Sequence, residues 1–517
     1  MPGGPRPLPS RPSLRYLKLE AKRRLAAAEF PTLHHAQAAI ASEYGQQSWA
    51  GLKQYISGQP QRESHALPQL RWLIARFKDS DEQAWTAPGE HELRQHFSDE
   101  VLGLIPVGEL VSAITSIAAD LREEFAVVDQ APLWVHVRIA GTDLFAGAEA
   151  ELPHRLTAVQ RIPRGGRITD PRVASPAPAR TLGDVPADVP GFADWVFGEL
   201  GLTGLILAGG GPGIRAWTVA KGWANLERGE ILDTGHRFPG LGIAALVTVT
   251  AVLRLVADGR FALDSPANDH LRTVRLADDT ITVRELLSHS SGIDNILANP
   301  LEVFADSVPD LVALTGPVIG CGGPRGVVRL TNSGCAVLGQ LIADVTGSRY
   351  ADVAARLVLE PLGMSRSSFP ARAADIGPDA VTGYSVTAAG TFAPAAATVC
   401  VMPAAGGLWT TAPDVVRLGT GWSSLLPAAL AREALTPQAA EEHGARYAGL
   451  GWIIRPRGDT AFLSGASVDG VASLTVRIRD NRVHLVMTNR LIPIDPIDDR
   501  MLRSWTNPLR SEKEGPS

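Results

Sequence analysis

The pattern of apolar and polar positions changes its period along the chain, and each change marks a different kind of element. Apolar residues recur at helical spacing over residues 13–56, 70–77 and 107–125, which predicts amphipathic helices. Residues 133–139 and 154–162 alternate between apolar and polar instead, as strands with one solvated face do. Helices followed by such strands predict a small α+β domain.

The C-terminal part of the chain carries longer apolar runs. Residues 202–207 and 214–220 predict two strands, and residues 242–256 predict a helix that is apolar on all sides and therefore buried. Strands at both ends with helices between them indicate an α/β sandwich, an antiparallel sheet flanked by helices. The late strands are predicted at 450–454, 471–478 and 483–488.

The length also favours several domains, because 517 residues exceed what one hydrophobic core usually supports. A stretch rich in proline and alanine separates the two folded regions and reads as an extended linker. The predicted segments are a helical N-terminal module at 1–62, an α+β domain at 63–165, the linker at 166–190, an α/β domain at 191–510 and a tail at 511–517.

Composition describes a folded protein, since 45% of the residues are hydrophobic and 20% are charged. The net charge of −5 does not favour nucleic-acid binding. The first 60 residues hold eight Lys/Arg against three Glu, which we interpret as a basic helix surface, with a nucleic-acid arm as the alternative. No apolar leader opens the sequence, and the run 241–253 is too short to cross a bilayer. We therefore expect a cytoplasmic protein without membrane contact.

The cysteines predict neither a disulfide framework nor a metal centre. There are three, Cys321, Cys335 and Cys400, and they show no Cys-x-x-Cys spacing or nearby paired histidines. No metal or cofactor is expected on these grounds. Cys335 is a candidate thiol, although a small buried side chain is the ordinary interpretation of such a cysteine.

Several short sequence motifs occur one after another along the large domain. They include Gly222–Glu227, Phe238–Leu253, Ile281–Ile293, Asn332–Cys335, Glu360–Met364 and Ala405–Leu408. In this order they resemble the serine β-lactamase and penicillin-binding-protein superfamily, in its class C, esterase and carboxypeptidase branch. The resemblance implies a β-lactamase-like α/β sandwich for the domain.

Phrases in the first part of the chain carry further resemblances. Phe97-Ser98 and Pro153–Leu156 resemble the steroid-isomerase-like, cystatin-like domain of the clavulanic-acid-cluster β-lactamase-fold proteins. Residues 36–53 resemble a small helical module that precedes other domains in many bacterial proteins. This layout implies a packing or docking role for the module, through which a protein partner could bind.

The resemblance implies three catalytic elements, and the chain departs from each. The first is Ser-x-x-Lys at a helix start, where the spacing lets the lysine take the serine proton; the two positions are Gly242 and Ala245. The second, Tyr-x-Asn, reads Leu330-Thr331-Asn332, so the hydroxyl is missing and the asparagine remains. The third, Lys-Thr-Gly or His-x-Gly, reads Ser464-Gly465-Ala466.

A shifted alignment does not restore the nucleophile and its base. None of the six lysines has a serine three residues earlier. Thr218 precedes Lys221 by three, but the surrounding alternation predicts a strand, on which the two side chains cannot share a helix face. Arginine cannot replace the base because it stays protonated.

Backbone groups and a few polar side chains remain as binding candidates. The resemblance implies an oxyanion hole built from the N–H of Gly242 and one near Ala466 or Ser467. Asn332 could hold a substrate amide or bridge two loops, and Ser464 occupies the position of the cationic group. On this view, a serine at 242 and a lysine at 245, with Leu330→Tyr and Ser464→His, would restore weak ester hydrolysis.

These departures leave three functional hypotheses. The first is a pseudoenzyme that keeps the pocket for a small-molecule ligand. The second is a repurposed enzyme that acts on a biosynthetic metabolite by polarisation and proton transfer, with Asn332, Ser464 and the loop 288–291 as its polar groups. The third is a serine hydrolase or esterase with a displaced nucleophile, for which Ser464, Ser290 and Ser291 are the candidates.

Overall fold

A computed structural model of the chain describes most of the large domain and parts of the region before it. Contacts group the residues into two units, 1–64 with 130–132 and 65–129 with 133–517. The described residues are 33–43, 64–78, 88–98, 125–131, 134–139, 142–148, 154–163, 178–297, 303–387, 391–440, 447–455, 459–467 and 470–492, with the isolated positions 102, 107, 110–111, 494, 497–498 and 501.

The described part of the first unit is helix α1, Leu33–Glu43. It lies inside the region 13–56 in which the spacing predicts helices, and Ile40 and Ala41 are fully buried. The rest of the predicted helical module lies outside the described residues, so its extent remains a prediction.

A small four-stranded sheet opens the second unit. Its strands β1 (Phe125–Ala131), β2 (Trp134–Ile139), β3 (Thr142–Ala148) and β4 (Leu156–Pro163) lie in the order β1-β2-β3-β4. Helices α2 (Ala66–Lys78) and α3 (Glu90–His96) precede it. The apolar positions of α2, at helical spacing, and of β2, at every second residue, are buried in one core: Leu67, Leu70, Leu73 and Ile74 with Val135, Val137 and Ile139.

The helices and strands predicted for this region from the sequence pattern are confirmed in part. The alternating segments 133–139 and 154–162 are strands β2 and β4, as predicted. The helix predicted over 107–125 ends earlier, because its described positions Val107, Leu110 and Val111 are helical whereas Phe125 begins β1. β3 was not predicted, since the sequence Thr-Asp-Leu-Phe-Ala-Gly-Ala does not alternate.

The large domain is built on one long antiparallel sheet. Among the early strands, β7 (Ile214–Asn225) pairs with both β5 (Arg180–Leu182) and β6 (Gly204–Gly211), and β6 also pairs with the last strand, β22 (Arg482–Thr488). Beyond β22 come β21 (Gly470–Arg477) and β20 (Thr460–Ser467). The predicted early and late strands therefore meet in the middle of the sheet.

Short strands extend or accompany this sheet. Its full order is β17-β18-β19-β20-β21-β22-β6-β7-β5, and β8 pairs with β7. The remaining strands are β8 Glu230–Ile231, β9 Phe238–Pro239, β10 Arg275–Leu276, β11 Phe304–Ala305, β12 Val318–Ile319, β13 Tyr384–Val386, β14 Phe392–Pro394, β15 Val399–Cys400, β16 Trp409–Thr410, β17 Ala439–Ala440, β18 Tyr447–Ala448 and β19 Ile453–Ile454.

Helices cover the sheet and form a layer of their own. The α-helices are α4 Val189–Glu199, α5 Ala244–Ala257, α6 Val283–Leu287, α7 Leu311–Thr315, α8 Asn332–Thr346, α9 Tyr350–Ala354, α10 Pro403–Gly406, α11 Ala412–Gly421 and α12 Ala428–Ala434. α4 packs on β6 and β7, and α11 packs on β6 and β22. The central strand β21 is buried along its whole length, as in a sheet with both faces covered. The predicted α/β class with an antiparallel sheet is confirmed.

Helix α5 is the centre of the core. All but three of its residues are buried, so the helix has no polar face exposed to solvent. Thr248 and Thr250 are its buried polar residues, and the Thr248 hydroxyl lies 2.7 Å from the Tyr350 hydroxyl and 2.6 Å from the Ala404 carbonyl oxygen. These bonds satisfy a buried hydroxyl and fix α5 against α9 and α10.

A charge on the buried face of α5 should unfold the domain. Leu253 is fully buried, so Leu253→Asp places an unpaired carboxylate in the core and should lower the free energy of unfolding by roughly 4 kcal/mol or more. Ala257→Asp, at the exposed end of the same helix, is the control and should cost about 1 kcal/mol or less. Urea unfolding measures both, and equal stabilities would contradict the burial of this helix.

Candidate functional site

A tight turn leads into helix α5 at the position where the family resemblance places its nucleophile. Leu241–Ile243 forms a 3-10 turn that continues into the helix. Leu241 is buried and has φ +47°, a left-handed conformation that is rare for leucine. Such a conformation persists only where the surroundings hold it in place.

Strand β20 holds this turn by direct backbone contact. A Cβ atom at position 242 would overlap the carbonyl oxygen of Ser464 and would lie 2.7 Å from its carbonyl carbon. A Cβ atom at position 465 would overlap the backbone nitrogen of Gly242 and would lie 2.8 Å from the Cβ of Leu241. Both positions therefore require glycine, because the two backbones meet where side chains would otherwise stand.

This contact places two of the predicted site residues together. Gly242 and Ser464 adjoin, and Ala245 follows one turn later, buried in α5. Ser464 and Ala466 point their side chains toward solvent, whereas Ser467 is buried at the end of β20. Gly465 stands against the N–H of Gly242, which leaves little room there for a substrate carbonyl. A serine at 242 would require the Ser464 carbonyl to shift, and the expected repair stays a prediction.

The second predicted element lies at the start of helix α8. Leu330 is half-buried, and Asn332 is exposed and makes no side-chain hydrogen bond to any residue the structure describes. The neighbouring Ser333 ties the loop at Ile296 to the start of α8 instead, because its buried hydroxyl accepts the backbone N–H of Ile296 at 3.0 Å. Sequence reasoning missed Ser333, and no spacing signal distinguishes it from Asn332.

The loop after helix α6 is held rigidly. Thr282 and Glu285 form a capping box at the helix start, and Arg325 binds the Glu285 carboxylate at 2.7 Å. At the other end, the hydroxyls of Ser288 and Ser290 lie 2.8 Å apart. These contacts fix the backbone on both sides of the next residue, His289.

His289 is an unusual member of this loop. Its φ is +53°, and its buried Nδ1 atom has no hydrogen-bond partner within the described part of the chain. Burial lowers the pKa of His289 to about 4, so the ring is neutral at pH 7. It lines a small cavity of about 10 Å³, roughly the room of one water molecule. The other lining residues are Ser291, Gly292, Ile293, Arg329, Thr331 and Gly334.

Two of the cysteines, Cys335 and Cys400, offer no reactive thiolate. Cys335 and Cys400 are buried, and burial raises their pKa to about 12 and about 11, so both stay protonated at pH 7. Cys321 is half-buried, and all three are free thiols. In the described residues, no group of His, Cys, Asp and Glu could hold a metal ion. No helix among them is long and apolar enough to cross a membrane.

The glycine at 242 should be essential for stability. Gly242→Ala forces a Cβ into the Ser464 carbonyl group and should lower the free energy of unfolding by about 3 kcal/mol. Gly198→Ala is the matched control, since that glycine lies in helix α4 with open space around it and should gain up to about 1 kcal/mol. Chemical denaturation compares them, and a Gly242→Ala protein of wild-type stability would show that β20 does not press on the turn.

His289 should make the protein sensitive to acid. The folded imidazole titrates near 4 and the unfolded one near 6.5, so the unfolded chain binds the extra proton between these values and stability falls as the pH drops through that window. The loss for this group is up to roughly 3 kcal/mol. His289→Asn, which tolerates the left-handed backbone, should remove that part of the pH dependence. Parallel stability curves for the two proteins between pH 7 and 4 would contradict it.

Comparison with known proteins agrees with this architecture. The family model Beta-lactamase matches residues 192–503, more than half of the chain. Penicillin-binding protein 4 of Amycolatopsis lactamdurans is 28% identical over 164 residues, 29% of this chain and 40% of the relative, so the chain spans less than half the length of that protein.

Two solved structures share the fold. One is the octameric penicillin-binding protein homologue from Pyrococcus abyssi, with a TM-score of 0.52, 22% identity and coverage of 62% of this chain and 78% of that one. The other is a penicillin binding protein from Bacillus halodurans, with a TM-score of 0.52, 20% identity and coverage of 62% and 99%. From the extent of the family match and the fold, the chain belongs to the beta-lactamase family.

Proposed function

We propose that this chain is a pseudoenzyme of its family, a protein that keeps the fold for binding and does not acylate itself. The observation that carries the proposal is the backbone contact between Gly242 and Ser464. It supports more than the absence of a serine, because the space in which a nucleophile would stand is filled by the carbonyl of β20. Acyl transfer by this route needs both the nucleophile and that space.

The base is missing for a related reason. Ala245 is buried among the apolar residues of α5, one turn after Gly242. A lysine at 245 would either carry an unpaired charge in the core or lose its proton. Together, Gly242 and Ala245 support the proposal that this region has become part of the hydrophobic core.

The displaced-nucleophile alternative finds little support in the described residues. A serine–histidine pair exists, with Ser265 Oγ 3.1 Å from His270 Nε2. Ser265 already donates to the Ala262 carbonyl oxygen at 2.7 Å, so the imidazole donates to the serine and cannot act as its base. Ser290 is bonded to Ser288, and Ser464 has no hydrogen-bonded base among the described residues.

The repurposed-enzyme alternative needs polar groups that converge on one substrate. Asn332 and Ser464 are exposed, but they make no hydrogen bonds with each other or with the loop 288–291 in the described structure. Without a hydrogen-bonded acid or base they favour binding over catalysis. We therefore place the ligand, a small molecule, on the surface beside the closed turn, and keep a protein partner for the N-terminal module as a second part of the proposal.

Covalent probes test the proposal directly. Fluorescent penicillin and a fluorophosphonate should leave the purified protein unlabelled on a denaturing gel, because no serine that the structure describes is paired with a base. An active family member serves as the positive control. The Gly242→Ser variant should also remain unlabelled, because the serine side chain has no room beside β20 and position 245 holds alanine in place of lysine.

Stoichiometric labelling would contradict the pseudoenzyme. Mass spectrometry of the labelled peptide would then identify the serine, and Ser464→Ala, Ser265→Ala and Ser290→Ala would show which one is the nucleophile. Loss of labelling in one of these three variants alone would establish the displaced-nucleophile hypothesis in place of ours.

A further inference from the structure

Two arginines in the described part of the chain are buried, and they differ in what faces their charge. Arg477 is 6% exposed, and its guanidinium binds the Asp480 carboxylate through Nε, at 2.7 Å, and through Nη2. Arg490 is 5% exposed and forms no ion pair with any residue the structure describes. Burial lowers the pKa of Arg490 to about 10, so the guanidinium still carries its charge at pH 7. A buried charge of this kind is costly unless it is paired.

One side of the Arg490 guanidinium is fixed by the end of helix α4. Its Nη1 atom donates to the carbonyl oxygen of Leu200, the C-cap residue of the helix, at 2.7 Å, and to that of Gly201 at 2.8 Å. The ring of Phe392, in β14, lies 5.9 Å from the guanidinium, and the backbone of Arg490 pairs with Tyr384 of β13. These contacts hold the guanidinium in one orientation between α4 and the β13–β14 hairpin.

The opposite edge of the guanidinium, formed by Nε and Nη2, binds no residue in the described part of the chain. The side-chain hydrogen bonds of Arg490 all leave from Nη1. Neither Nε nor Nη2 is among the unpartnered polar atoms that are sealed from solvent, so this edge is reachable although the rest of the side chain is buried. It presents two parallel N–H groups, the geometry that binds both oxygens of a carboxylate.

The same edge holds a carboxylate elsewhere in this protein. Three other arginines bind an aspartate through both Nε and Nη2: Arg237 with Asp379, Arg284 with Asp264 and Arg477 with Asp480. A phosphate dianion suits Arg490 less well, because the carbonyl oxygens of Leu200 and Gly201, at the negative end of α4, would repel its second charge. The contacts therefore favour an anion with a single negative charge.

We propose that Arg490 binds the carboxylate of a small organic acid, at the junction of helix α4 with the β13–β14 hairpin. Both carboxylate oxygens accept N–H bonds from the Nε–Nη2 edge, while Nη1 keeps its bonds to the end of α4. Binding pairs a buried charge, and the contacts of Nη1 and Phe392 set the direction from which the acid approaches. The site shares no residue with the Gly242 turn, involves no covalent step and does not depend on whether the chain is a pseudoenzyme.

Ligand titrations on the full chain test the site. Sodium acetate and sodium phosphate are added separately at pH 7 and constant ionic strength, and the melting temperature and the Arg490 Nε–H resonance are followed. We expect a saturable response to acetate with a millimolar Kd, and at least tenfold weaker binding of phosphate. Arg490→Lys keeps the charge and can still donate to the α4 carbonyls, but it lacks the two-atom edge and should weaken acetate binding at least tenfold.

Arg477→Lys is the matched control. This arginine is as deeply buried as Arg490, but its Nε–Nη2 edge already holds Asp480. The substitution removes the same edge from the same sheet, and it should change the Kd for acetate by less than threefold.

Each outcome decides the proposal. No saturable response to acetate would mean that Arg490 only caps α4, and acetate binding unchanged in Arg490→Lys would place the anion elsewhere; both results overturn the site. Phosphate binding as tight as acetate binding would overturn the carboxylate assignment. If Arg490→Lys does not fold, the Nε–H resonance of the wild-type protein decides, since a shift that saturates with acetate supports the site and an unchanged resonance overturns it.

Discussion

The contact between the backbone of Gly242 and the edge of strand β20 is the constraint on which the candidate site depends. Two glycines, at 242 and 465, let a 3-10 turn and a strand approach until neither position can carry a Cβ. The turn is itself bent by the left-handed Leu241, which is buried under the strand. The two backbones are therefore in direct contact at this point, and helix α5 continues from it into an almost wholly apolar core.

The sequence predicts the architecture well because the architecture follows from periodicity. The apolar run 242–256 can only be a buried helix, and it is α5 with its ends displaced by one or two residues. The late strands are predicted by their β-branched and apolar residues, and in the structure they pair with the early strands at β6. Where composition and period are ambiguous, as in β3 and at the boundary between residues 111 and 125, prediction failed.

The site is predictable only in part, since residue identity and backbone distance are different kinds of information. Motif counting identifies Gly242 and Ser464 as positions without catalytic side chains, and the structure brings them together. No spacing rule shows that the backbone of β20 lies against position 242, because a glycine fits an open cleft as well as a closed one. The same limit explains why Ser333, rather than Asn332, ties the loop at Ile296 to the start of α8: hydrogen-bond partners depend on side-chain direction.

Closure of the turn also bears on how readily catalysis could be regained. A serine at 242 must displace the carbonyl of Ser464, yet β20 is held in register with β21 from Thr460↔Arg477 to Ser467↔Gly470. A shift of β20 at this point would disturb its pairing with β21, in addition to requiring the missing lysine and hydroxyl. Under the pseudoenzyme proposal, restoring the side chains alone therefore leaves the backbone geometry unchanged. A route back would begin with Gly465 and the path of β20, not with the nucleophile.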